Sequence, residues 1–389
     1  MKYFYGVPKN VDRSIMGRVD SHRQHRRWFV NEKVPRIILV SQTEHNLPRA
    51  EAYLVSDAIH GFKSSLPHIE NIPQEMLNEL QEGDVVLLSN DGKVTVLYSI
   101  NSHHNAVFAT NRCNLKCIMC PQPTFTEQDN SVDFNVSLIK LMNPQKTNNL
   151  AITGGEPTLL DDGFFTLIDI CKTHLPKTSL TILTNGKNFK NLEFTKKLAM
   201  LQHPDITMAV PLYSDNDDIH DTIVGVKKSF YDTIKGLHNL ALFGFKVEIR
   251  TVLHSVNYSR LPQLSEFIYR NFPFVSHIAL MGMETTGLAK ENIEELWVDP
   301  FDYVNQLEKS VKFLHRAGMN VSIYNLQLCI LPPKLWPFCR KSISDWKNVY
   351  HEICINCVER KNCAGFFKTS GNHYSSHIKR ILPCPNGKQ

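Results

Sequence analysis

Residues 111–121 read Asn-Arg-Cys-Asn-Leu-Lys-Cys-Ile-Met-Cys-Pro, and their three cysteines, Cys113, Cys117 and Cys120, follow a C-x3-C-x2-C spacing. Three thiolates are one ligand short of a closed four-thiolate site. A [4Fe-4S] cluster on this loop would leave one iron open to a ligand that is not a protein side chain. Structural zinc is the alternative, with His103 or His104 as a further ligand. Zinc ligands usually come as two separated pairs, so the spacing favours the cluster.

A second motif, Gly154-Gly155-Glu156-Pro157, follows the apolar run Asn149–Thr153. Glycines at the end of a strand let the backbone approach a ligand closely, and the adjacent carboxylate can accept a hydrogen bond from an ammonium group. Taken alone, the four residues also fit an ordinary turn. Their place, at the end of the strand after the cysteine loop, indicates a binding segment.

Together the two motifs resemble those of the radical S-adenosylmethionine (radical SAM) enzymes, in which the cysteine loop follows the first barrel strand, here Ala106–Thr110. The resemblance implies that Cys113, Cys117 and Cys120 bind a [4Fe-4S] cluster and that Gly154–Pro157 binds the amino group of SAM. It also implies an oxidoreductase that reductively cleaves SAM to a hydrogen-abstracting 5'-deoxyadenosyl radical. Such an enzyme needs a low-potential electron donor such as flavodoxin or ferredoxin.

Between residues 106 and 320, β-rich runs alternate with amphipathic stretches, as in parallel strands joined by crossover helices. Six such units predict an α/β fold with a partial (β/α)6 barrel. The predicted strands are Ala106–Thr110, Leu150–Thr153, Ser179–Thr184, Ile206–Leu212, Lys246–His254 and His277–Met281. The predicted helices are Gly163–His174, Leu192–Leu201, Phe230–Phe243, Leu261–Tyr269 and Phe301–Ala317.

Further SAM contacts are expected at the carboxyl ends of the strands, where parallel folds collect their ligands. The resemblance places Thr184 and Ser214 near the methionyl or ribose hydroxyls, and Arg250 near the carboxylate. Thr184 could instead belong to a turn, Ser214 could cap the next segment, and Arg250 could form a structural ion pair. Met119 stands where many family members carry an aromatic residue that packs on adenine, and its thioether can also cover a purine face.

The C-terminal part of the chain carries a second cysteine cluster, with six of the ten cysteines between Cys329 and Cys384. Cys354, Cys357 and Cys363 form a C-x2-C-x5-C pattern, and Cys329 would complete a set of four. In isolation the C-x2-C pair favours zinc. In a radical SAM protein the spacing resembles the auxiliary-cluster domains called SPASM and twitch, which implies an auxiliary [4Fe-4S] cluster on these four cysteines.

The longer SPASM pattern would need a cysteine at position 367, where Phe367 stands, so the resemblance implies a single, twitch-like cluster. Cys339 and Cys384 are alternative ligands. Cys171 lies on a predicted helix and is most simply a small buried apolar residue.

Residues 1–100 precede the predicted barrel and have their own turns and apolar runs. Arg36–Val40 and Asp84–Leu88 are predicted strands, and the turn Asn90–Gly92 leads into a return strand at Val94–Tyr98. The predicted domains are an accessory β-rich domain at 1–100, the radical SAM core at 101–315 and a Cys-rich auxiliary-cluster domain at 316–389. Packing against the core is the expected role of the accessory domain.

Composition predicts a folded cytoplasmic protein. With 389 residues, 42% of them hydrophobic, the chain can bury a sizeable core. Residues 1–6 lack an apolar signal core, and no segment reaches the roughly 18 apolar residues of a membrane span. In the cytoplasm thiols stay reduced and available to metals. The net charge of +5 does not favour a nucleic-acid partner, and the basic run His22–Arg27 fits a solvated helix face as well as a phosphate contact.

Several further segments look like the C-type radical SAM maturase of the His-Xaa-Ser system: Cys117–Pro123, Leu328–Pro332, Trp336–Phe338, Lys341–Lys347 and Cys363–Phe367. That resemblance implies post-translational modification of a small precursor peptide or protein, together with a second radical SAM maturase. A radical SAM enzyme acting on RNA, a nucleotide or a small molecule is the alternative. A non-enzymatic, zinc-stabilised binding module is the alternative of another class. No catalytic side chain is predicted; Tyr213, His220, Glu284 and Cys339 are polar candidates.

Overall fold

A computed structural model describes residues 2–20, 34–41, 50–122, 131–344, 347–371 and 373–383. The basic run His22–Arg27 and Cys384 lie outside these ranges. Within them the chain forms two eight-stranded sheets and a short two-stranded sheet. The α/β fold with a parallel core sheet and additional N- and C-terminal regions is therefore confirmed.

The first sheet lies in the N-terminal region, and its strand order is β1-β8-β7-β3-β4-β5-β6-β2. Because only Gly6 separates β1 from β2, the two ends of the sheet are joined and the sheet closes on itself. The elements are β1 (Tyr3–Tyr5), β2 (Val7–Lys9), β3 (Ile15–Asp20), β4 (Arg36–Val40), β5 (Ala52–Ser56), β6 (His68–Ile72), α1 (Gln74–Glu79), β7 (Val85–Leu88) and β8 (Lys93–Tyr98).

Apolar side chains fill the interior of this closed sheet, including Ile37, Leu54, Ile69 and Val86. The predicted strands at residues 36–40, 84–88 and 94–98 and the turn between the last two are confirmed, with β7 and β8 paired antiparallel. Their apolar runs and the Asn-Asp-Gly turn carried that prediction.

The second sheet is the core, and all seven pairs of neighbouring strands in it are parallel. Its strands are β9 (Ala106–Phe108), β10 (Asn149–Thr153), β11 (Ser179–Leu183), β12 (Ile206–Pro211), β13 (Lys246–Leu253), β14 (His277–Gly282), β15 (Val321–Tyr324) and β16 (Cys339–Arg340). The six predicted strands are confirmed. Two more, β15 and β16, continue the sheet past residue 315.

Most helices cover the outer face of the core sheet. The helices are α2 (Val132–Leu141), α3 (Asp162–His174), α4 (Leu192–Met200), α5 (Asp217–Val224), α6 (Ser229–Leu242), α7 (Leu261–Asn271), α8 (Leu288–Glu291), α9 (Ile293–Leu296) and α10 (Val304–Arg316). The exceptions are α5, α8 and α9, which pack in the apolar cluster beside the cysteine loop. The stripe Leu307, Val311 and Leu314 shows why α10 forms and which face it buries. The five predicted helices are confirmed within one to three residues at each end. The sequence did not predict α2, α5, α8 or α9.

Successive side chains of the core strand β13 alternate between a face that packs on the helices and a face that lies towards the cysteine loop. In β13, Val247, Ile249 and Leu253 join the apolar layer shared with the helices. Arg250 and Val252 lie on the opposite face because successive side chains of a strand alternate, and Val252 packs beside the cysteine loop. The face of β13 that points away from the helices therefore carries Arg250 and lies beside the cysteine loop.

The N-terminal sheet contacts the core through buried polar groups. The Arg18 guanidinium donates from Nε and Nη2 to the carbonyl of Leu141, at 2.9 and 2.7 Å, at the C-terminal end of α2. A cation is favourable there because the last carbonyls of a helix are unsatisfied and partly negative. Tyr98 also forms a 2.9 Å hydrogen bond with the hydroxyl of Thr147.

Short elements dominate the C-terminal region, where β17 (Asn348–Val349) pairs antiparallel with β18 (Phe366–Phe367). Turns and single 3-10 helices make up most of the rest. No helix in the described ranges is long and apolar enough to cross a membrane.

Candidate active site

The cysteine loop leaves the carboxyl end of β9 and is held by backbone contacts on two sides. Ile118 N–H donates to the carbonyl of Ile223, in the last turn of α5, at 3.0 Å. On the other side Leu288 N–H donates to the carbonyl of Cys120 at 2.9 Å. The side-chain amide of Asn292 donates from Nδ2 to the carbonyl of Ile118 at 2.8 Å. The scaffold therefore holds the loop by its backbone.

Burial keeps the thiols of this loop neutral. It raises the pKa of the Cys113 thiol to about 11, with the nearby Glu156 carboxylate acting in the same direction. Burial also raises the pKa of Cys117, and the neighbouring Cys120 and Cys113 add to the effect. Thiols that influence each other in this way lie close together, and a bound metal would reverse the effect because it takes up thiolates and releases their protons.

The three thiols do not converge on one point. Cys120 Sγ turns towards the carbonyl of Gln122 and donates to it at 2.9 Å. Among the residues that the structure describes, no group of three or more His, Cys, Asp or Glu has the geometry to hold a metal ion. His103 and His104 precede β9, whereas the loop follows it, so the histidines are at the amino end of this strand and the loop is at its carboxyl end. The donor set therefore fits an open cluster better than four-ligand zinc.

The Gly-Gly-Glu-Pro motif is attached to the residues that lead into the cysteine loop. Gly155 N–H donates to the carbonyl of Thr110, and Glu156 N–H to that of Arg112, both at 2.7 Å. A Cβ atom on Gly154 would lie 2.4 Å from the Thr110 oxygen, and one on Gly155 would lie 2.2 Å from the Arg112 oxygen. Both positions need glycine because any side chain would separate the two motifs.

The Glu156 side chain is fully buried, and protein donors surround it. Its Oε1 accepts from the hydroxyls of Thr158 and Thr184, at 2.6 and 2.7 Å, and from Thr158 N–H at 3.1 Å. Its Oε2 accepts from Asn185 N–H at 2.6 Å. Burial raises the pKa of Glu156, whereas these hydrogen bonds lower it. Thr158 was not among the predicted site residues; its backbone N–H is the donor that Glu156 caps at the start of the 3-10 helix Pro157–Leu160.

The predicted SAM contacts at Ser214 and Arg250 have protein partners. Ser214 is fully buried, and its Oγ accepts from Asn216 N–H at 3.1 Å, which makes it part of a turn. Arg250 Nη1 lies 3.4 Å from Glu248 Oε1, and its Nη2 lies 3.4 Å from Met281 Sδ. These contacts match the alternatives named from the sequence, a capping role for Ser214 and a structural ion pair for Arg250. Their contact with SAM stays a prediction, as does that of Thr184, whose hydroxyl is bound to Glu156.

Met119 and Tyr213 belong to an apolar cluster beside the cysteine loop that also contains Leu296 and Met283. Met119 is buried by protein, so its packing on adenine stays a prediction. Burial holds the pKa of Tyr213 well above its usual value, and the Cys117 and Cys120 thiols add to the effect. Tyr213 therefore packs in the same cluster as Cys113 and Cys117.

In the C-terminal region, Cys329, Cys354, Cys357 and Cys363 line one cavity of about 310 Å³. Burial raises the pKa of Cys329, and the Cys363 and Cys354 thiols act in the same direction. The structure thus brings together the four cysteines that the sequence grouped. We call this space the second cysteine cavity.

The two alternative ligands are placed differently. Cys339 does not line the second cysteine cavity, and its Sγ lies 3.5 Å from the carbonyl of Leu335. Cys384 is outside the described residues. Cys171 is fully buried in α3, as expected of a small apolar residue.

Long-range hydrogen bonds join the segments around the second cysteine cavity. Gln327 Nε2 donates to the carbonyl of Gly365 at 2.8 Å, linking the Cys329 turn to the Cys363 segment. Tyr350 Oη donates to the carbonyl of Cys363 at 3.0 Å. Side chains far apart in sequence therefore shape this cavity.

A further cavity, of about 480 Å³, opens at the carboxyl ends of β13, β14 and β15, and we call it the central cavity. Met283 and Leu296 line it and also belong to the cluster around the cysteine loop. Gln327 and Phe366 line both it and the second cysteine cavity. The central cavity therefore lies between the two groups of cysteines.

Residues 107–268 match the family described as the Radical SAM superfamily. The uncharacterized protein MJ0907 of Methanocaldococcus jannaschii is 29% identical over 238 residues, which cover 58% of this chain and 74% of that protein. The GTP 3',8-cyclase of Petrotoga mobilis is 28% identical over 193 residues, covering 48% of this chain and 58% of the cyclase.

The antilisterial bacteriocin subtilosin biosynthesis protein AlbA of Bacillus subtilis is 27% identical over 185 residues, covering 45% of this chain and 40% of AlbA. Among solved structures, SuiB of Streptococcus suis bound to S-adenosylmethionine superimposes with a TM-score of 0.48 at 20% identity, covering 59% of this chain and 52% of SuiB. The chain thus spans about half the length of several proteins that it matches. Residues 107–268 are thus similar to the Radical SAM superfamily, whose enzymes use a [4Fe-4S] cluster and S-adenosylmethionine.

Proposed function

We propose that the protein is a radical SAM enzyme that modifies a peptide or small protein. The observation that carries this proposal is the position of the central cavity, between the cysteine loop and the second cysteine cavity. A substrate group held there would be within reach of both sites. The location also matches the general rule that ligands of parallel folds bind at the carboxyl ends of the strands.

We propose Cys113, Cys117 and Cys120 as the ligands of a [4Fe-4S] cluster and the Gly154–Pro157 segment as the site of the SAM amino group. When bound, the cluster and SAM supply a 5'-deoxyadenosyl radical that abstracts a substrate hydrogen. The chain's own residues position and shield the site. Gly154 and Gly155 keep the binding segment against the loop, and Tyr213 belongs to the buried apolar cluster on which Cys113 and Cys117 pack.

The second cysteine cavity is proposed to hold one auxiliary [4Fe-4S] cluster on Cys329, Cys354, Cys357 and Cys363. The four thiols line one cavity, but among the described residues no group of three or more is yet placed to hold a metal, so binding would have to draw them together. The same donor set would also bind zinc, so metal content separates the two.

The lack of basic residues in the described wall of the central cavity favours a peptide over a nucleotide. GTP 3',8-cyclase is among the relatives, which makes a nucleotide substrate the second candidate. Within the described residues, however, neither Lys nor Arg lines the central cavity. Phosphate groups are usually held by such cations or by helix N-termini. AlbA, which is named for bacteriocin biosynthesis, is a relative that supports a peptide substrate.

The finer proposal is a maturase of the His-Xaa-Ser system. It rests on the C-terminal segments that resemble that family, including Trp336–Phe338 and Cys363–Phe367. It implies a precursor with His-Xaa-Ser repeats, a second radical SAM maturase and a flavodoxin- or ferredoxin-type electron donor. A mass change in the co-expressed precursor, absent when either maturase is omitted, tests this step.

The basic activity is tested by anaerobic reconstitution with iron and sulfide, followed by dithionite and SAM. We expect stoichiometric iron and sulfide and the formation of 5'-deoxyadenosine. The Cys117→Ala variant should form none, whereas the matched Cys171→Ala variant, altered in a buried helix cysteine outside both cavities, should keep full activity. Zinc without iron in anaerobically purified protein would instead support a binding module whose cysteines only hold loops together.

A further inference from the structure

Glu284 follows β14 at the carboxyl end of the core sheet, and donors from the C-terminal region hold its carboxylate. Lys347 Nζ lies 3.0 Å from each carboxylate oxygen, and the Thr369 hydroxyl donates to Oε1 at 3.3 Å. The Glu284 side chain is 14% exposed and that of Lys347 is 27% exposed. Because the pair is charge-assisted and partly shielded from salt, it can hold two segments together.

The residues after Glu284 press against the cysteine loop. Leu288 N–H donates to the carbonyl of Cys120 at 2.9 Å. Gly287 has a φ of 56°, and a Cβ atom on it would lie 2.7 Å from the carbonyl oxygens of Cys120 and Pro121. Only glycine permits so close an approach. Residues 283–287, which we call the β14–α8 segment, therefore support the backbone of the cysteine loop at Cys120.

Lys347 belongs to the C-terminal region and leads directly into β17. Its carbonyl accepts from Lys368 N–H at 2.6 Å, next to the end of β18, and β17 pairs antiparallel with β18. The side-chain amide of Asn348 donates to the carbonyl of Ala364 at 2.5 Å, one residue after Cys363. The two-stranded sheet therefore fixes Lys347 relative to the segment that carries Cys363.

These contacts form one path between the two groups of cysteines. From Cys363 it runs through the two-stranded sheet to Lys347. The ion pair then crosses to Glu284, and the β14–α8 segment leads on to Cys120. The Cys120 thiol has to turn from the carbonyl of Gln122 to join the other two thiols, so its backbone needs a firm support. A path of contacts becomes a functional coupling only if breaking one step changes the far end.

We propose that Lys347 and Glu284 are positioning residues that hold the Cys120 side of the cysteine loop in place for its cluster. This inference rests on the proposed function because it takes the loop to be the cluster site. Both residues act through the β14–α8 segment. Glu284, a polar candidate from the sequence, thus has a role other than that of an acid or base. The C-terminal region then supports the first site in addition to forming the second.

Lys347→Met tests the pair in metal-free, full-length protein, because it keeps the aliphatic chain and removes both hydrogen bonds to Glu284. Hydrogen–deuterium exchange with mass spectrometry should show residues 112–122 and 283–292 exchanging about tenfold faster, since a partly buried carboxylate loses its main partner. Lys312→Met is the matched control. It breaks a Lys–Glu pair of 2.6 Å, with Glu308 of the outer helix α10, and should leave both segments unchanged.

Faster exchange confined to residues 347–369, with residues 112–122 unchanged, would overturn the inference, because the pair would then hold only the C-terminal region. Unchanged exchange in β11 and β12 shows that the variant is folded.

Glu284→Ala tests the same contact from the other side and guards against a folding defect in one variant. It should speed exchange in the same two segments. Combined with Lys347→Met it should add nothing, because both substitutions break one contact. Additive effects in residues 112–122 would overturn the inference, since the two residues would then act separately.

Reconstituted protein separates this inference from the proposed function. With dithionite as reductant, Lys347→Met should need about tenfold more SAM to change the electron paramagnetic resonance spectrum of the cluster, a shift that a loss of global stability would not cause. If the parent protein cleaves SAM and Lys347→Met changes neither exchange nor this titration, the positioning role is wrong and the proposed function stands. If exchange responds as expected but the parent protein binds no iron, the proposed function is wrong and the pair still positions the loop.

Discussion

The two groups of cysteines are built in opposite ways. Cys113, Cys117 and Cys120 come from one loop, which hydrogen bonds fasten to neighbouring segments of the parallel barrel. The cysteines of the second cavity come from separate segments beyond the main barrel strands, and side chains such as Gln327 and Tyr350 join those segments. The first site is held by the scaffold, whereas the second depends on contacts between short elements. We therefore expect metal to serve chemistry in the first site and both chemistry and folding in the second.

The largest expected effect separates the two sites by activity. Cys117→Ala should abolish formation of 5'-deoxyadenosine while leaving the thermal unfolding midpoint nearly unchanged, because the backbone hydrogen bonds of the loop remain. Cys357→Ala should keep SAM cleavage but lose modification of the peptide. Chromatography of the nucleoside product and mass spectrometry of the peptide check this. Loss of SAM cleavage in Cys357→Ala would show that the second site is needed for the first.

Removal of metal should affect the two regions unequally. After chelation, we expect amide hydrogens of residues 350–367 to exchange about a hundredfold faster, equivalent to about 2.7 kcal/mol of lost local stability. Amides of β11 and β12 should not change because their hydrogen bonds belong to the core sheet. Hydrogen–deuterium exchange with mass spectrometry measures both regions in one sample. An equal change in exchange rate in residues 350–367 and in β11 and β12 would contradict the proposed difference between the two sites.

Acid should destabilise the barrel through two buried histidines. Burial lowers the pKa of His220 and of His254 to about 4. Between the ordinary value of 6.5 and about 4, the unfolded chain binds protons that the folded chain does not, so stability falls as the pH falls through this window. Each histidine should contribute up to about 3 kcal/mol of this loss.

Urea unfolding at pH 7 and at pH 4.5 measures the loss. In His220→Asn the amide oxygen can still accept from Tyr213 N–H, as His220 Nδ1 does now at 3.3 Å, without taking up a proton. The variant should therefore lose less stability between the two pH values than the parent protein. An unchanged pH dependence would exclude His220 as a contributor.

The smallest expected effect concerns the support of Glu156. Thr158→Val removes the hydroxyl that donates to Glu156 Oε1 and should cost about 1–3 kcal/mol, because the carboxylate stays buried with one donor fewer. Thr166→Val is the control, since Thr166 bonds only a carbonyl of its own exposed helix turn. Chemical denaturation gives the stability, and equilibrium binding of SAM shows whether the segment has moved. No loss of stability would mean that the remaining donors suffice.

The sequence predicted the elements with strong periodicity and the local motifs. Strands such as Lys246–Leu253 and helices such as Val304–Arg316 carry apolar residues at regular spacing, so they could be recognised without the structure. The cysteine loop and the Gly-Gly-Glu-Pro motif were each contiguous in sequence. In contrast, β16 has two residues and α8 and α9 have four each, too few for a periodic signal.

Contacts between residues that are far apart in the sequence could not be predicted from it. The wall of the central cavity runs from Leu253 to Ser375, and no local pattern indicates that these residues meet. Thr184 and Ser214 were expected beside SAM, yet their hydroxyls take part in contacts with Glu156 and Asn216 that only the folded chain reveals. The grouping of Cys329 with the three later cysteines rested on family resemblance rather than on spacing.

The closed N-terminal sheet has a consequence for the order in which the chain folds. Tyr3–Tyr5 pair with Lys93–Thr95, and Val7–Lys9 pair with His68–Glu70, so both strands are synthesised well before their partners. Contacts so distant in sequence form slowly because a long loop must close before any of them is gained. On the ribosome residues 7–9 must wait until about residue 70 has emerged, and residues 3–5 until about residue 95. Until then β1 and β2 lack their partner strands, which exposes the nascent N-terminal region to mispairing.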